Sequence, residues 1–145
     1  MKWLRKIMGG AGMVKGIDHA AIVVSDMDRA FEFYTGVLGL RVILDGRKEG
    51  GQKKSFLGTK SHALIALTED KNRTNRDADC VEGVNHIAFF VEDLNKSSLL
   101  LKERGVSFIE EKTDENGKVT AYHFLDPDGL ELEICTAAGK EVPQY

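Results

Sequence analysis

The stretch GIDHAAIVVSDMDRA at residues 16–30 recurs as GVNHIAFFVEDLNKS at residues 83–97, at a constant offset of 67 residues. The hydrophobic pattern is the same in both copies, and five of the fifteen positions are identical. A repeat of this kind indicates two related structural modules. The identical positions are Gly16/Gly83, His19/His86, Ala21/Ala88, Val24/Val91 and Asp26/Asp93.

Each copy predicts the same order of elements. IDHAAIVV and VNHIAFFV are rich in β-branched and aromatic residues, which is typical of strands. Each strand runs into a segment typical of a helix N-cap, SDMD or EDLN, and a helical pattern follows that glycines should end, at Gly36/Gly39 and at Gly105. Three short strand candidates complete each copy, which predicts a βαβββ module twice over. They are LRVILD, a piece around KKSFL and HALIALT in the first copy, and VSFIEE, KVTAYHFLD and LELEICT in the second.

These patterns divide the chain into five parts. A flexible leader is predicted at residues 1–14, module 1 at 15–68, a polar linker at 69–82, module 2 at 83–138 and a tail at 139–145. At 145 residues the chain is long enough to bury a core without disulfides or a structural metal.

Composition narrows the class of protein. A net charge of -3 argues against nucleic acid as a partner, because phosphate binding requires a basic surface. No apolar run approaches the roughly 18 residues that would span a membrane. Two cysteines without metal-site spacing, and no recognisable signal peptide, favour a location in the reducing cytoplasm.

The repeated histidines are the first candidates for a site. Side chains alternate along a strand, so His19 shares a face with Ala21, and His86 shares a face with Ala88 and Phe90. A lone histidine on a strand is more often a core residue than a ligand. Two at duplicated positions favour a site, because related modules can present equivalent faces across one cleft.

The last predicted strand carries acidic residues. In DPDGLELEIC, residues 126–135, the side chains of Glu131, Glu133 and Cys135 point to one face and the aliphatic side chains to the other. A half-exposed strand explains this alternation by itself, most simply for Glu131. A role for Glu133 in metal binding depends on the resemblance that follows.

The opening G-x-x-H-x-A-hydrophobic-x-V-x-D, present twice, and the ending FLDPDG-x-x-x-E resemble the vicinal-oxygen-chelate superfamily. This superfamily includes glyoxalases, bleomycin- and fosfomycin-resistance proteins, epimerases and extradiol dioxygenases, and the resemblance covers residues 16–136. It implies an α+β fold in which two βαβββ modules form curled mixed sheets around a cleft that holds a metal. The ligands implied at the matching positions are His19, His86 and Glu133.

A fourth ligand position of the superfamily, equivalent to Glu133 in the first copy, is Ala66 here, which cannot coordinate. The remaining set of two imidazoles and one carboxylate suits Fe(II) or Mn(II), with Zn(II) and Ni(II) as alternatives. The open coordination positions would suit a substrate that chelates through neighbouring oxygens. Dioxygenase-like, lyase, isomerase or transferase chemistry would all fit such a site.

His123 occupies the position, ten residues before the terminal glutamate, where three-ligand enzymes of the superfamily tend to carry a tyrosine. We expect it to act as a catalytic acid or base near the metal, since its ordinary pKa suits proton transfer near neutrality. An additional metal ligand and a packing role are the alternatives. Further residues expected to line the substrate pocket are His62, Ala66, Phe90, Glu131 and Cys135.

The leading prediction is thus a divalent-metal-dependent enzyme that acts on a small substrate. The alternative is a metal-free protein of the bleomycin-resistance type that sequesters a drug in the same cleft. The resemblance also implies a homodimer, in which the modules could pair within one chain or across two.

Overall fold

The repeat in the sequence is also a repeat in the structure. A computed structural model describes residues 17–47, 54–72 and 84–136. The first module contains β1 (Ala20–Val24), α1 (Met27–Phe31) continued by a π-helical segment (Glu32–Val37), β2 (Arg41–Leu44), β3 (Lys54–Gly58) and β4 (Ala63–Glu69). The second contains β5 (His86–Phe90), α2 (Leu94–Glu103), β6 (Phe108–Thr113), β7 (Val119–Leu125) and β8 (Glu131–Cys135).

Each module folds its strands into one mixed sheet. The strand orders, β1-β4-β3-β2 and β5-β8-β7-β6, are equivalent, and in both sheets the first strand pairs parallel to the last. The register is repeated as well: Ala21 pairs with Ala66 in the first sheet, and Ala88 pairs with Glu133 in the second. This confirms the predicted α+β fold of two βαβββ modules with mixed sheets.

Equivalent aspartates begin the two helices. The side chains of Asp26 and Asp93 each accept a hydrogen bond of 2.9 Å from the backbone N–H three residues on, which satisfies a donor of the first turn. Gly105, with a φ of 86°, follows the end of α2 in the left-handed conformation that favours glycine. The first helix ends differently from the prediction. Gly36 lies inside the π-helical segment, and Gly39, with a φ of 75°, comes after it.

The core lies between the helices and one face of each sheet. Alternate side chains of the strands are buried there, together with the inner faces of both helices. Fully burying one large apolar side chain contributes roughly 1.5–3 kcal/mol, so this core is the main source of stability. Its most completely buried large side chains are Tyr34, Phe124, Met27, Leu57, Ile65, Leu67, Leu132 and Val24.

A polar cluster joins the helical part of the first module to the β7–β8 turn of the second. The Tyr34 hydroxyl donates to Asp126 Oδ2 at 2.8 Å. The Asp128 carboxylate accepts from the backbone N–H of Ser25 at 2.9 Å and from the hydroxyl of the same residue. Burial raises the pKa of Asp126, and its hydrogen bonds offset part of that rise. We call these four residues the inter-module clasp.

Replacing Tyr34 with phenylalanine should cost about 1–3 kcal/mol of unfolding free energy at neutral pH, because Asp126 loses a donor while it stays buried. The penalty should shrink as the pH falls through the raised pKa of Asp126, because a neutral carboxyl needs that donor less. Urea unfolding at several pH values measures this. Tyr122→Phe is the matched control, since the Tyr122 ring stacks on Phe108 and no hydrogen bond of its hydroxyl is seen among the described residues. Equal losses in the two variants would contradict the prediction.

The module boundaries remain predictions. Strand β4 runs to Glu69, just beyond the boundary predicted at residue 68. The predicted leader and tail lie outside the described residues, as does most of the linker. Within the described part of the chain, none of the helices has both the length and the apolar character that crossing a bilayer requires.

Candidate metal centre

Strand pairing gathers the candidate residues of the second module on one face of its sheet. The β5–β8 register sets His86 beside Glu131 and Ala88 beside Glu133. The β7–β8 register sets His123 beside Glu133. Residues paired in this way project to the same side of a sheet. We call this side the open face, because the opposite side packs on the core. The open face of the first sheet is the side that is equivalent by the repeat.

His86, His123 and Glu133 converge on the open face. The Nε2 atom of His86 lies 3.1 Å from Glu133 Oε2, and the Nε2 atom of His123 lies 3.3 Å from the same oxygen. The two imidazole rings meet edge to face, with centroids 5.2 Å apart. The side chains of His86 and His123 are 33% and 5% exposed. The cluster is therefore accessible from the side of His86 and closed on the side of His123.

Three histidines share one hydrogen-bonding arrangement. In each, Nδ1 lies within hydrogen-bond distance of a side-chain oxygen that can only accept, so Nδ1 carries the proton. A neutral imidazole in this tautomer keeps its lone pair on Nε2, which is the arrangement seen in histidines that bind metals. The contacts are His19 to Asp18 at 2.7 Å, His86 to Asn85 at 2.8 Å and His123 to Glu131 at 2.7 Å.

The Nε2 atom of His123 has an unusual position. The residue is only 4% exposed, and among the described residues this atom alone is a buried side-chain nitrogen or oxygen without a hydrogen-bond partner. Leaving a buried polar atom unsatisfied costs about 1–3 kcal/mol. A bound cation is one arrangement that would satisfy it.

Two distances in the cluster fit a divalent transition metal. Bonds of about 2.0–2.2 Å place neighbouring ligand atoms roughly 3.0–3.4 Å apart, and both distances to Glu133 Oε2 fall in that range. Among the described residues, the group that offers one ligand atom each within 4.8 Å of one another consists of His86, His123 and Glu131. Glu131, however, already accepts a hydrogen bond from His123, whereas Glu133 faces both Nε2 atoms. Glu133 is therefore the better candidate for the carboxylate ligand.

Within one chain, His19 does not join this cluster. Its ring packs edge-on against Phe56 of its own sheet, with centroids 5.4 Å apart. Across residues 17–47, 54–72 and 84–136, it belongs to no group of three residues whose ligand atoms lie within 4.8 Å. The expected meeting of His19 and His86 across a cleft is therefore not seen between the two modules of one chain. The role of His19 as a ligand stays a prediction.

The residues predicted to line the pocket fall into two groups. His62 and Phe90 line a mainly apolar cavity of about 800 Å³, to which both modules contribute. Ala66, Glu131 and Cys135 do not line it. Ala66 is fully buried at the position equivalent to Glu133. Glu131 and Cys135 lie on the open face of the second sheet beside the cluster.

Asp18 and Asn85 were not anticipated from the sequence. They directly precede the two repeated histidines, at equivalent positions of the repeat, and each orients the ring that follows it. An oxygen-bearing side chain before both histidines was the signal that could have revealed them.

The comparisons with known proteins agree with this architecture. The sequence model of the Glyoxalase/Bleomycin resistance protein/Dioxygenase superfamily matches residues 16–134, which span both modules. The chain therefore belongs to this superfamily.

Relatives with similar sequences cover nearly the whole chain. YwkD of Bacillus subtilis is 34% identical over 127 residues, covering 84% of this chain and 97% of that protein. Metallothiol transferase FosB of Staphylococcus epidermidis is 27% identical over 134 residues, covering 91% and 89%. A probable lactoylglutathione lyase of Synechocystis is 27% identical over 128 residues, covering 85% and 96%.

A solved structure supports the fold. The glyoxalase family protein from Enterococcus faecalis superimposes with a TM-score of 0.69 at 30% sequence identity, covering 83% of this chain and 97% of that chain.

Proposed function

We propose that this chain is a divalent-metal-dependent enzyme for a small substrate that chelates the ion through neighbouring oxygens. The observation that carries the proposal is the convergence of His86 Nε2 and Glu133 Oε2 at 3.1 Å, with the opposite edge of the histidine ring held by Asn85. Two similar relatives have the names of enzymes, a metallothiol transferase and a probable lactoylglutathione lyase, which supports catalysis on this fold.

His86 and Glu133 would hold the ion, together with His19 of the partner subunit. When bound, such an ion polarises substrate oxygens as a Lewis acid and stabilises the negative charge that develops on them. Ala88 pairs with Glu133 in the sheet and also lines the neighbouring cavity. A substrate held at the cluster could therefore extend an apolar part into that cavity.

We also propose a homodimer, in which the open face of the second sheet lies against the open face of the partner's first sheet. Large apolar side chains on these faces are unusually exposed: Val23 is 42%, Leu44 41%, Phe90 53% and Leu125 45% exposed. Apolar side chains gathered on a surface in this way favour an interaction site. His19 lies on the open face of the first sheet. Its side chain is 28% exposed, so it is accessible to a second chain.

Two imidazoles and one carboxylate favour Fe(II) or Mn(II) as the resident ion, with Zn(II) and Ni(II) as alternatives. The reducing cytoplasm, where Fe(II) is stable, remains the predicted compartment.

Metal analysis of protein purified without chelator tests the proposal. We expect about one equivalent of a divalent metal per chain, since the donor set fits a single ion. Dialysis against EDTA should remove it, and one of Fe(II), Mn(II), Zn(II) or Ni(II) should restore it. A folded chain that binds none of these ions would overturn the proposal and favour the metal-free binding protein.

A further inference from the structure

The two modules carry different rings at one equivalent position. Phe56 pairs with Ala66 in the first sheet, as His123 pairs with Glu133 in the second. Each ring packs edge-on against the repeated histidine of its own module, with centroids 5.4 Å and 5.2 Å apart. The apolar ring of Phe56 thus makes the same kind of packing contact as the ring of His123. Packing alone therefore does not explain why residue 123 is a histidine.

The surroundings of His123 place a lone pair where a cation would be stabilised. Its Nδ1 donates to Glu131 Oε1 at 2.7 Å, so a neutral ring keeps its lone pair on Nε2. That Nε2 is buried, has no hydrogen-bond partner among the described residues, and faces Glu133 Oε2 at 3.3 Å. In the neutral ring, Nε2 and Glu133 Oε2 are two acceptors that face each other, which is unfavourable unless a proton or a metal ion lies between them.

We propose that His123 is a metal ligand through Nε2, and that Glu131 is the positioning residue that fixes its tautomer and ring orientation. This inference rests on the proposed metal-dependent function. It adds a ligand on β7, whereas the ligand positions implied by the superfamily lie on the first and last strands of the modules.

The buried position of His123 also supports a ligand role over the other roles considered for it. An acid or base must reach the substrate, yet this side chain is only 5% exposed and its Nδ1 is engaged by Glu131. A ligand needs only Nε2, and Nε2 points into the cluster. In this proposal, a ligand role takes the place of the catalytic role that the sequence predicts for His123.

An additional ligand changes the chemistry that the site favours. With His19 of the partner subunit, the set becomes three imidazoles and one carboxylate, which makes up for the ligand absent at Ala66. Four protein ligands leave about two positions on an octahedral ion, enough for one pair of neighbouring substrate oxygens. This favours proton transfer or addition at Zn(II), Ni(II) or Mn(II) over dioxygen-consuming chemistry.

Long-range ¹H–¹⁵N spectra of the histidine rings, recorded on the full chain during titration with Zn(II), test the proposal. The chain has only four histidines, so each signal can be assigned by substitution. Before zinc is added, His86 and His123 should show the Nδ1–H tautomer. Zinc should then shift the Nε2 signals of both, and His62, which lies outside the cluster, should not respond.

His123→Phe is the most informative variant, because phenylalanine already occupies the equivalent position at Phe56. It should keep the wild-type circular dichroism spectrum and lose zinc affinity by at least about 100-fold, since loss of an outer partner alone costs about 10–100-fold. Glu131→Gln should lower the zinc affinity about 10–100-fold, because it removes the outer partner of His123. This variant serves as the test if His123→Phe does not fold. The control Tyr122→Phe, on the other face of β7, should bind zinc normally.

The failures of the two proposals are distinguishable. If zinc shifts the His86 signals but not those of His123, and His123→Phe keeps wild-type affinity, the ligand role of His123 is wrong and the proposed function stands. If zinc shifts neither ring and does not bind, both proposals are overturned.

Discussion

His86→Ala should lower the affinity for divalent metal by at least about 100-fold and remove metal-dependent activity. The alanine deletes the Nε2 atom that lies 3.1 Å from Glu133 Oε2, on the side of the cluster that solvent and substrate can reach. His123 cannot replace it, because its own Nε2 is directed at Glu133 from the neighbouring strand. Competition with a chromophoric chelator, using Zn(II) and Mn(II), measures the loss.

The matched control for His86→Ala is His62→Ala. His62 is exposed and lies in the cavity between the modules rather than in the cluster, so its loss should leave the metal content unchanged. A folded His86→Ala variant with wild-type metal affinity would contradict the site. A variant that lost metal but kept its affinity for a small ligand would identify a binding protein instead of an enzyme.

Hybrid dimers of two inactive variants should regain metal binding. If His19 of one subunit meets His86 of the other, a hybrid of His19→Ala and His86→Ala chains contains one site with both defects and one intact site. Co-expression with two affinity tags and tandem purification isolates the hybrid. We expect the hybrid to bind about half of the wild-type metal content. Each parent dimer should bind little metal, because both of its sites lack one ligand to the octahedral ion.

A second hybrid provides the control. His86→Ala and Glu133→Ala both lie in the second module, so every site of their hybrid keeps one defect and should stay empty. If the His19/His86 hybrid also stays empty while it is dimeric by analytical ultracentrifugation, His19 is not supplied by a partner. A wild-type chain that sediments as a monomer would overturn the homodimer itself.

The fold could be predicted from the sequence because its signals are local and occur twice. Alternating strand residues, and an aspartate at each helix start, specify the βαβββ order without reference to distant contacts. The same alternation predicts that Glu133 projects from the same face as Glu131. The end of the first helix could not be predicted in this way, because the chain continues past Gly36 as a π-helical segment.

The placement of His19 could not be predicted, because it depends on how the two modules pack. That packing involves the inter-module clasp, in which Ser25 contacts Asp128 and Tyr34 contacts Asp126 across about a hundred residues of chain. No local pattern reports such contacts. The role of Glu131 was missed for a similar reason: its partner, His123, lies on the neighbouring strand.

The difference between the two open faces has a consequence for the history of this protein. At equivalent positions, the second module carries His123, Glu131 and Glu133, whereas the first carries Phe56, Leu64 and Ala66. After duplication, the proposed ligand atoms other than those of His19 lie in the second copy, and the first copy shapes their surroundings. Mutations at Phe56, Leu64 and Ala66 can then alter substrate preference without loss of the metal. New specificities can evolve there while the chemistry is preserved.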